Sequence, residues 1–94
     1  MIADETKIRR SPRAAAHGLG ESEGGVLLHL ESGQYHGLNN VGWAIWNLLE
    51  EPRDVASVVA GVAAQFPDAG AVLHDDVHAF VAGLLERDLV EVIP

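Results

Sequence analysis

The residues with the clearest chemical potential are His74 and His78. They stand four apart in a stretch with helical periodicity, so both imidazoles fall on one helix face with Asp75 between them. That spacing can hold a divalent metal. Ligand number is the limiting requirement, and only His29 and His36 suggest themselves as further donors, so the pair reads as surface histidines and no metal is expected. Ser11, Ser22, Ser32 and Ser57 lie in turns or at helix starts, with no base and orienting group in a recognisable motif around them. The carboxylate pairs Glu50 and Glu51, and Asp75 and Asp76, are adjacent in sequence. Adjacent helical residues point about 100° apart and do not share a site. There is no cysteine, hence no disulfide, thiolate ligand or thiol nucleophile. No constellation meets the requirements of catalysis, and neither an enzyme nor a cofactor is expected.

The elements that must position these residues are legible from pattern. Val26, Leu27, Leu28 and Leu30 form an apolar run with strand character, and Gln34 to Leu38 is a returning strand. Gly33 supplies the positive φ of the turn between them. A two-residue turn would set Leu30 opposite Tyr35, His29 opposite His36 and Leu27 opposite Leu38. Asn39 or Asn40 caps a first helix with Val41, Ala44, Ile45, Leu48 and Leu49 on one stripe, widened by Trp43 and Trp46. Pro52 ends it, and Asp54 caps a second helix whose Val55, Val58, Val59, Val62 and Phe66 form another stripe. A third helix, starting between Ala71 and Asp75, carries Val77, Phe80, Val81, Leu84 and Leu85. Leu89 to Ile93 alternates like a short final strand. One further strand is expected within residues 6–18, where Pro12 excludes a central position. The order is that of an α+β fold, a winged helix-turn-helix-like arrangement with an N-terminal three-stranded antiparallel sheet followed by three helices.

Composition narrows the function classes. Ninety-four residues at 48% hydrophobic content suit one small domain, spanning 1–94 with 1–5 and 18–24 flexible, and are too apolar for a disordered chain. No apolar signal core opens the chain and no run reaches membrane-spanning length; a cytoplasmic location without membrane association is expected. Residues 1–13 carry Lys7, Arg9, Arg10 and Arg13 against Asp4 and Glu5, net +2, whereas residues 14–94 are net −10. The third helix, which would have to enter a DNA groove, carries Asp75, Asp76 and Glu86, followed by Asp88. An acidic recognition helix repels phosphates. A winged-helix DNA-binding regulator is therefore the weaker alternative, and no nucleic-acid partner is expected. The returning strand, by contrast, carries no Lys, Asp, Glu or Pro to blunt a sheet edge. An extended peptide could add there as another strand. An adaptor that dimerises through the same edge is the other alternative to a monomeric peptide binder.

The run L-x-L-E-S-G-Q-Y-H-G-L-N-x-x-G-x-x-I-W-x-L-L, from Leu28 to Leu49, resembles the PqqD-like family of precursor-peptide recognition domains. Leu28, Leu30, Gly33, Tyr35, Leu38, Asn39, Gly42, Ile45, Trp46 and Leu49 carry the match. Phe66 and the D-V-x-x-F-V-x-x-L-L pattern from Asp76 to Leu85 add to it, so the resemblance covers residues 24–93. The Tyr-Leu-Asn and Gly-Ile-Trp form looks most like the free-standing leader-binding protein of lasso-peptide biosynthesis. The resemblance implies a non-catalytic domain that binds the leader of a ribosomal precursor peptide as an antiparallel strand beside residues 34–38, against the third helix. It also implies a leader protease and a macrolactam cyclase as pathway partners. On this reading the peptide-binding residues are Leu27, Gln34, Tyr35, His36, Gly37 and Leu38 on the strand side. On the helix side they are Val77, His78, Val81 and Leu85, with Asp75 and Asp76 at the rim to meet a basic leader. Phe80 and Leu84 are expected to turn toward the core.

Overall fold

The computed structural model describes residues 2–20, 23–68 and 73–94. The elements follow as β1 (Lys7–Arg10), β2 (Ala14–Gly18), β3 (Gly25–His29), β4 (Tyr35–Leu38), α1 (Asn40–Leu48), β5 (Arg53–Asp54), α2 (Val55–Gln65), α3 (Leu73–Glu86) and β6 (Val90–Val92). The strands make two antiparallel three-stranded sheets, ordered β5-β1-β6 and β2-β3-β4. The α+β class is as the pattern implied.

The first strand differs from expectation. Residues 6–18 form two strands in different sheets, because Pro12 sits in a turn between them. At that turn Ser11 N–H donates to Leu89 O at 3.0 Å and Ala14 N–H to Ser11 O at 3.1 Å, so the chain changes partners without orphaning its amides. The segment expected to be flexible at 1–5 is tied down from Ile2 onward. Ala56 N–H donates to Asp4 O at 2.9 Å, and Ile2 packs on the core. In the 18–24 connection, Leu19 N–H donates to Gly24 O at 3.0 Å, while residues 21 and 22 lie outside the described residues. So does most of the link at 69–72.

The β3–β4 register also differs. Leu28 faces Tyr35, Leu27 faces His36, Val26 faces Gly37 and Gly25 faces Leu38. His29 N–H donates to Gln34 O at 2.9 Å, leaving a four-residue loop from Leu30 to Gly33. The reason is that the loop amides find partners off the ladder. His29 Nδ1 accepts from the backbone of Glu31 at 3.3 Å and Ser32 at 3.1 Å, and Leu30 N–H donates to Arg13 O at 2.8 Å. Gly33 takes the left-handed conformation at φ 74°. The displacement is two residues, the period of a strand, so every side chain keeps its expected face. Leu27, His29 and Leu38 are buried on the inner face; Leu28 and Tyr35 lie on the outer one.

Capping follows the sequence. Asn39 Oδ1 accepts from Gly42 N–H at 2.9 Å to start α1, and Asp54 Oδ1 from Ser57 N–H at 2.8 Å to start α2. The Ser57 bonds hold the Asp54 carboxyl below its usual range. The core joins Ile8 of β1, Leu27 of β3, Ile45, Trp46 and Leu49, the α2 valines, and Val77, Val81 and Leu84 of α3, closed by Leu89 and Val90. Leu48 lies where a side chain on Gly61 would be, so α1 and α2 approach closely at that point.

Candidate functional site

A cleft of about 450 Å³ opens between β4 and α3, lined by Tyr35 to Leu38 on the strand and by Ala79, Phe80, Gly83, Leu84 and Arg87 on the helix. On its other flank Phe80 borders a second hollow of about 300 Å³, which reaches Asn39, Gly42, Asp76 and Val77 between α1 and α3. The two form one groove along α3, divided by the Phe80 ring. A side chain on Gly42 would meet that ring at 3.0 Å, so glycine is what lets Phe80 lie against α1.

The strand side of the groove is an unoccupied sheet edge. β4 pairs with β3 on one side and with no other strand among the described residues. The His29–Gln34 bond fixes which groups face outward. His36 and Leu38, with the Gln34 carbonyl, direct their polar groups toward β3, so Tyr35 and Gly37 direct theirs to the open edge. Tyr35 is 71% exposed, and nothing lies near a side chain that would be added at Gly37, so neither residue shields the edge.

On α3 the structure rearranges the expected residues. Val81 is fully buried in the core and does not face the groove, and Val77, almost as buried, touches only its second hollow; at helical spacing they share a stripe with Leu73 and Leu84. Phe80 is half-buried, and it and Leu84 form the helix wall instead. His78 turns to Asp4, and Asp75 lies beside His74, so both leave the groove; Asp76 stays at one end of it. Leu85 is part-buried against the core. Leu27 is buried inside the hairpin, and Gln34 closes the loop just before β4 with its carbonyl turned to His29. Ala79, Gly83 and Arg87 were not singled out from sequence. The available signal was helical spacing: Gly83 and Arg87 stand three and seven residues after Phe80, and Ala79 four before Gly83.

A charged network ties the hairpin to the end of α3. Asp88 follows α3 in the left-handed conformation at φ 59°. Its carboxylate takes a two-pronged contact from the Arg13 guanidinium, one arm at 2.9 Å, and a bond at 3.1 Å from His29 Nε2. Because Nδ1 of that ring accepts backbone bonds, Nε2 carries the proton and donates. Arg13 also reaches Glu91 at 3.1 Å. The Arg13 guanidinium, and then His29, hold the Asp88 carboxyl well below the usual carboxylate range. The β3–β4 loop is thereby fixed to the end of α3.

A family model described as "Coenzyme PQQ synthesis protein D (PqqD)" matches residues 24–90. The chain belongs to the PqqD family. A relative from Kluyvera intermedia, named PqqA binding protein, is 41% identical over 54 residues, 57% of this chain; the chain spans 58% of that relative's length. Among solved structures, TbiB1 in complex with the TbiA(β) leader peptide superposes with TM-score 0.76 at 31% identity, covering 88% of this chain and 94% of TbiB1. The stand-alone PqqD truncation of Methylobacterium extorquens PqqCD, a RiPP recognition element, has TM-score 0.76 at 16% identity over 97% of this chain and 95% of its own. That last likeness concerns the fold. No described helix is long and apolar enough to cross a membrane.

Proposed function

We propose that this protein binds the leader segment of a ribosomally made precursor peptide as an added strand on β4, and catalyses no reaction itself. The observation that carries this is the open edge at Tyr35 and Gly37 directly beside the groove against α3. Backbone bonds at such an edge contribute about 0.5–1.5 kcal/mol each without reading sequence. Specificity then falls to leader side chains that enter the groove on either side of Phe80. An aromatic or proline side chain fits walls made by Leu38, Phe80 and Leu84. The likeness to TbiB1, solved with a leader peptide bound, supports leader binding. The resemblance of the Tyr-Leu-Asn and Gly-Ile-Trp form adds the lasso-peptide setting, in which the bound leader is presented to a separate protease and cyclase. On this reading residues 1–94 act as one peptide-binding domain in the cytoplasm, as a monomer.

Amide shift mapping with a synthetic leader tests the mode. Shifts should centre on residues 35–38 and 76–87. Shifts confined to β1, or to the first turn of α2, would overturn it. A mass in solution that doubles without leader, with Tyr35 and Gly37 amides protected, would show the edge to be a dimer contact instead.

A further inference from the structure

His74 and His78 acquire in the fold what the sequence left missing, a third donor. The Asp4 carboxylate, from a segment 70 residues earlier in the chain, meets both rings. Its Oδ1 lies 2.7 Å from His74 Nε2 and 2.6 Å from His78 Nε2. The rings stand side by side, centroids 4.4 Å apart, and the three donor atoms all lie within 4.8 Å of one another. We propose that Asp4, His74 and His78 form a site for a divalent transition ion of the Zn(II) type, which pins the N-terminal segment to the start of α3. This site is separate from the peptide groove, which occupies another face of α3.

The donor set selects the ion. Two imidazoles and one carboxylate suit borderline ions such as Zn(II), whereas Mg(II) and Ca(II) favour oxygen alone. Tetrahedral zinc with bonds of about 2.0–2.1 Å separates its donors by about 3.3 Å. Asp4, whose side chain is about half exposed, would draw back by roughly half an ångström to reach that spacing, and the two imidazole nitrogens, within 4.8 Å of one another, would settle to it as well. Three ligands leave the fourth position to water. Asp75 Oδ1 stands 3.4 Å from the other nitrogen of His74, where a carboxylate orients a metal-binding imidazole.

Full-length, tag-free protein stripped with chelator provides the test. Zn(II) titrated by calorimetry should bind at one ion per chain with micromolar affinity, and Co(II) should give a saturable visible spectrum. At a hundredfold excess over Kd, Zn(II) should raise Tm by roughly 5 °C or more. Asp4→Asn, His74→Ala and His78→Ala should each weaken binding at least tenfold, whereas His17→Ala should leave it unchanged. Asp4→Asn is nearly isosteric at an exposed position, so it stays informative if a histidine variant folds poorly. Absence of saturable 1:1 binding would overturn the proposal and leave a hydrogen-bonded clasp only. Affinity undiminished in Asp4→Asn, or Zn(II) displaced by equimolar Mg(II), would overturn it as well.

Discussion

The two ends of α3 are held by the same device built from different parts. At the C-terminal end Asp88 receives Arg13 and His29; at the N-terminal end Asp4 receives His74 and His78. Each is one carboxylate shared by two nitrogen-bearing side chains. The Asp88 cluster contains a guanidinium, which stays charged at all working pH and grips both carboxylate oxygens. It is a permanent strut, and it fixes the loop after β3 against the end of α3. The Asp4 cluster has no Arg or Lys among its hydrogen-bonding partners. Its hydrogen bonds, from His78 and then His74, hold the Asp4 carboxyl below its usual range, and Asp4, then Asp75, raises His74. Each imidazole can carry its proton on Nδ1 instead and so turn an Nε2 lone pair on an ion. One arrangement supplies rigidity where a ligand must fit; the other supplies ligands where a segment must be pinned.

The largest expected effect breaks the helix between these ends. Val81→Asp places a charge where no water reaches and no partner stands, and should cost more than about 4 kcal/mol, a large share of the whole stability. Urea melts followed by circular dichroism should show a collapsed midpoint. A normal midpoint with selective loss of leader binding would put Val81 back in the groove, on the face expected from sequence.

That contrast shows what was legible. The stripe on α3 was readable, but which third of it faces the groove was not. Val77, Phe80, Val81, Leu84 and Leu85 are all apolar, and periodicity gives a stripe without saying where two neighbouring surfaces divide it. The hairpin faces were readable because they depend on parity, whereas the loop length depended on His29 accepting two amides, which no turn motif encodes. The β1–β5–β6 sheet and both carboxylate clusters escaped because their partners lie far apart in sequence, Arg13 from Asp88 and Asp4 from His74. The open edge on β4 was legible from its lack of Lys, Asp, Glu and Pro, and the family motif pointed to the same strand.

Phe80→Ala comes next. As a half-buried ring it should cost about 2–3 kcal/mol, less than a wholly buried phenylalanine. It should also weaken the leader tenfold or more, because the groove loses its dividing wall. A stability loss with unchanged affinity would mean the ring serves the core alone. His29→Ala should cost about 1–3 kcal/mol, since the Glu31 and Ser32 amides and Asp88 each lose a partner. Hydrogen exchange at those two amides reads it directly; unchanged protection there would mean the loop holds without the ring.

Acid separates the strut from the rest of the fold. The folded pKa of Asp88 is depressed, so its contribution is fully present above the unfolded value of about 3.9 and is lost as pH falls below it toward the folded value. Asp88→Asn should therefore lower Tm near neutral pH, and the gap to the unaltered protein should narrow below about pH 4. A gap constant across that range would show that hydrogen bonding, and not charge, does the holding.

The smallest effect concerns charge along the groove. An acidic surface alone would favour a basic leader throughout, with Asp75 and Asp76 as its partners. Asp75 instead lies beside His74, leaving Asp76 at one end of the groove, while Arg87 lines the other with its guanidinium donating to Gly83 O at 3.1 Å. Phe80, near Leu38 and Gly42, lies between them in sequence and in space. A strand antiparallel to β4 passes Leu38 before Tyr35, so it meets Asp76 first and Arg87 later. The leader should then favour a basic residue upstream and an acidic one downstream. Such exposed pairs act mainly on association and are screened by salt. Arg87→Glu should slow binding of a leader with a downstream acid by only a few-fold at low ionic strength, with the difference vanishing near 1 M salt. Stopped-flow rates with that leader and with its neutral counterpart decide the matter: an equal slowing for both, or one that survives high salt, would mean Arg87 shapes the groove and does not read charge.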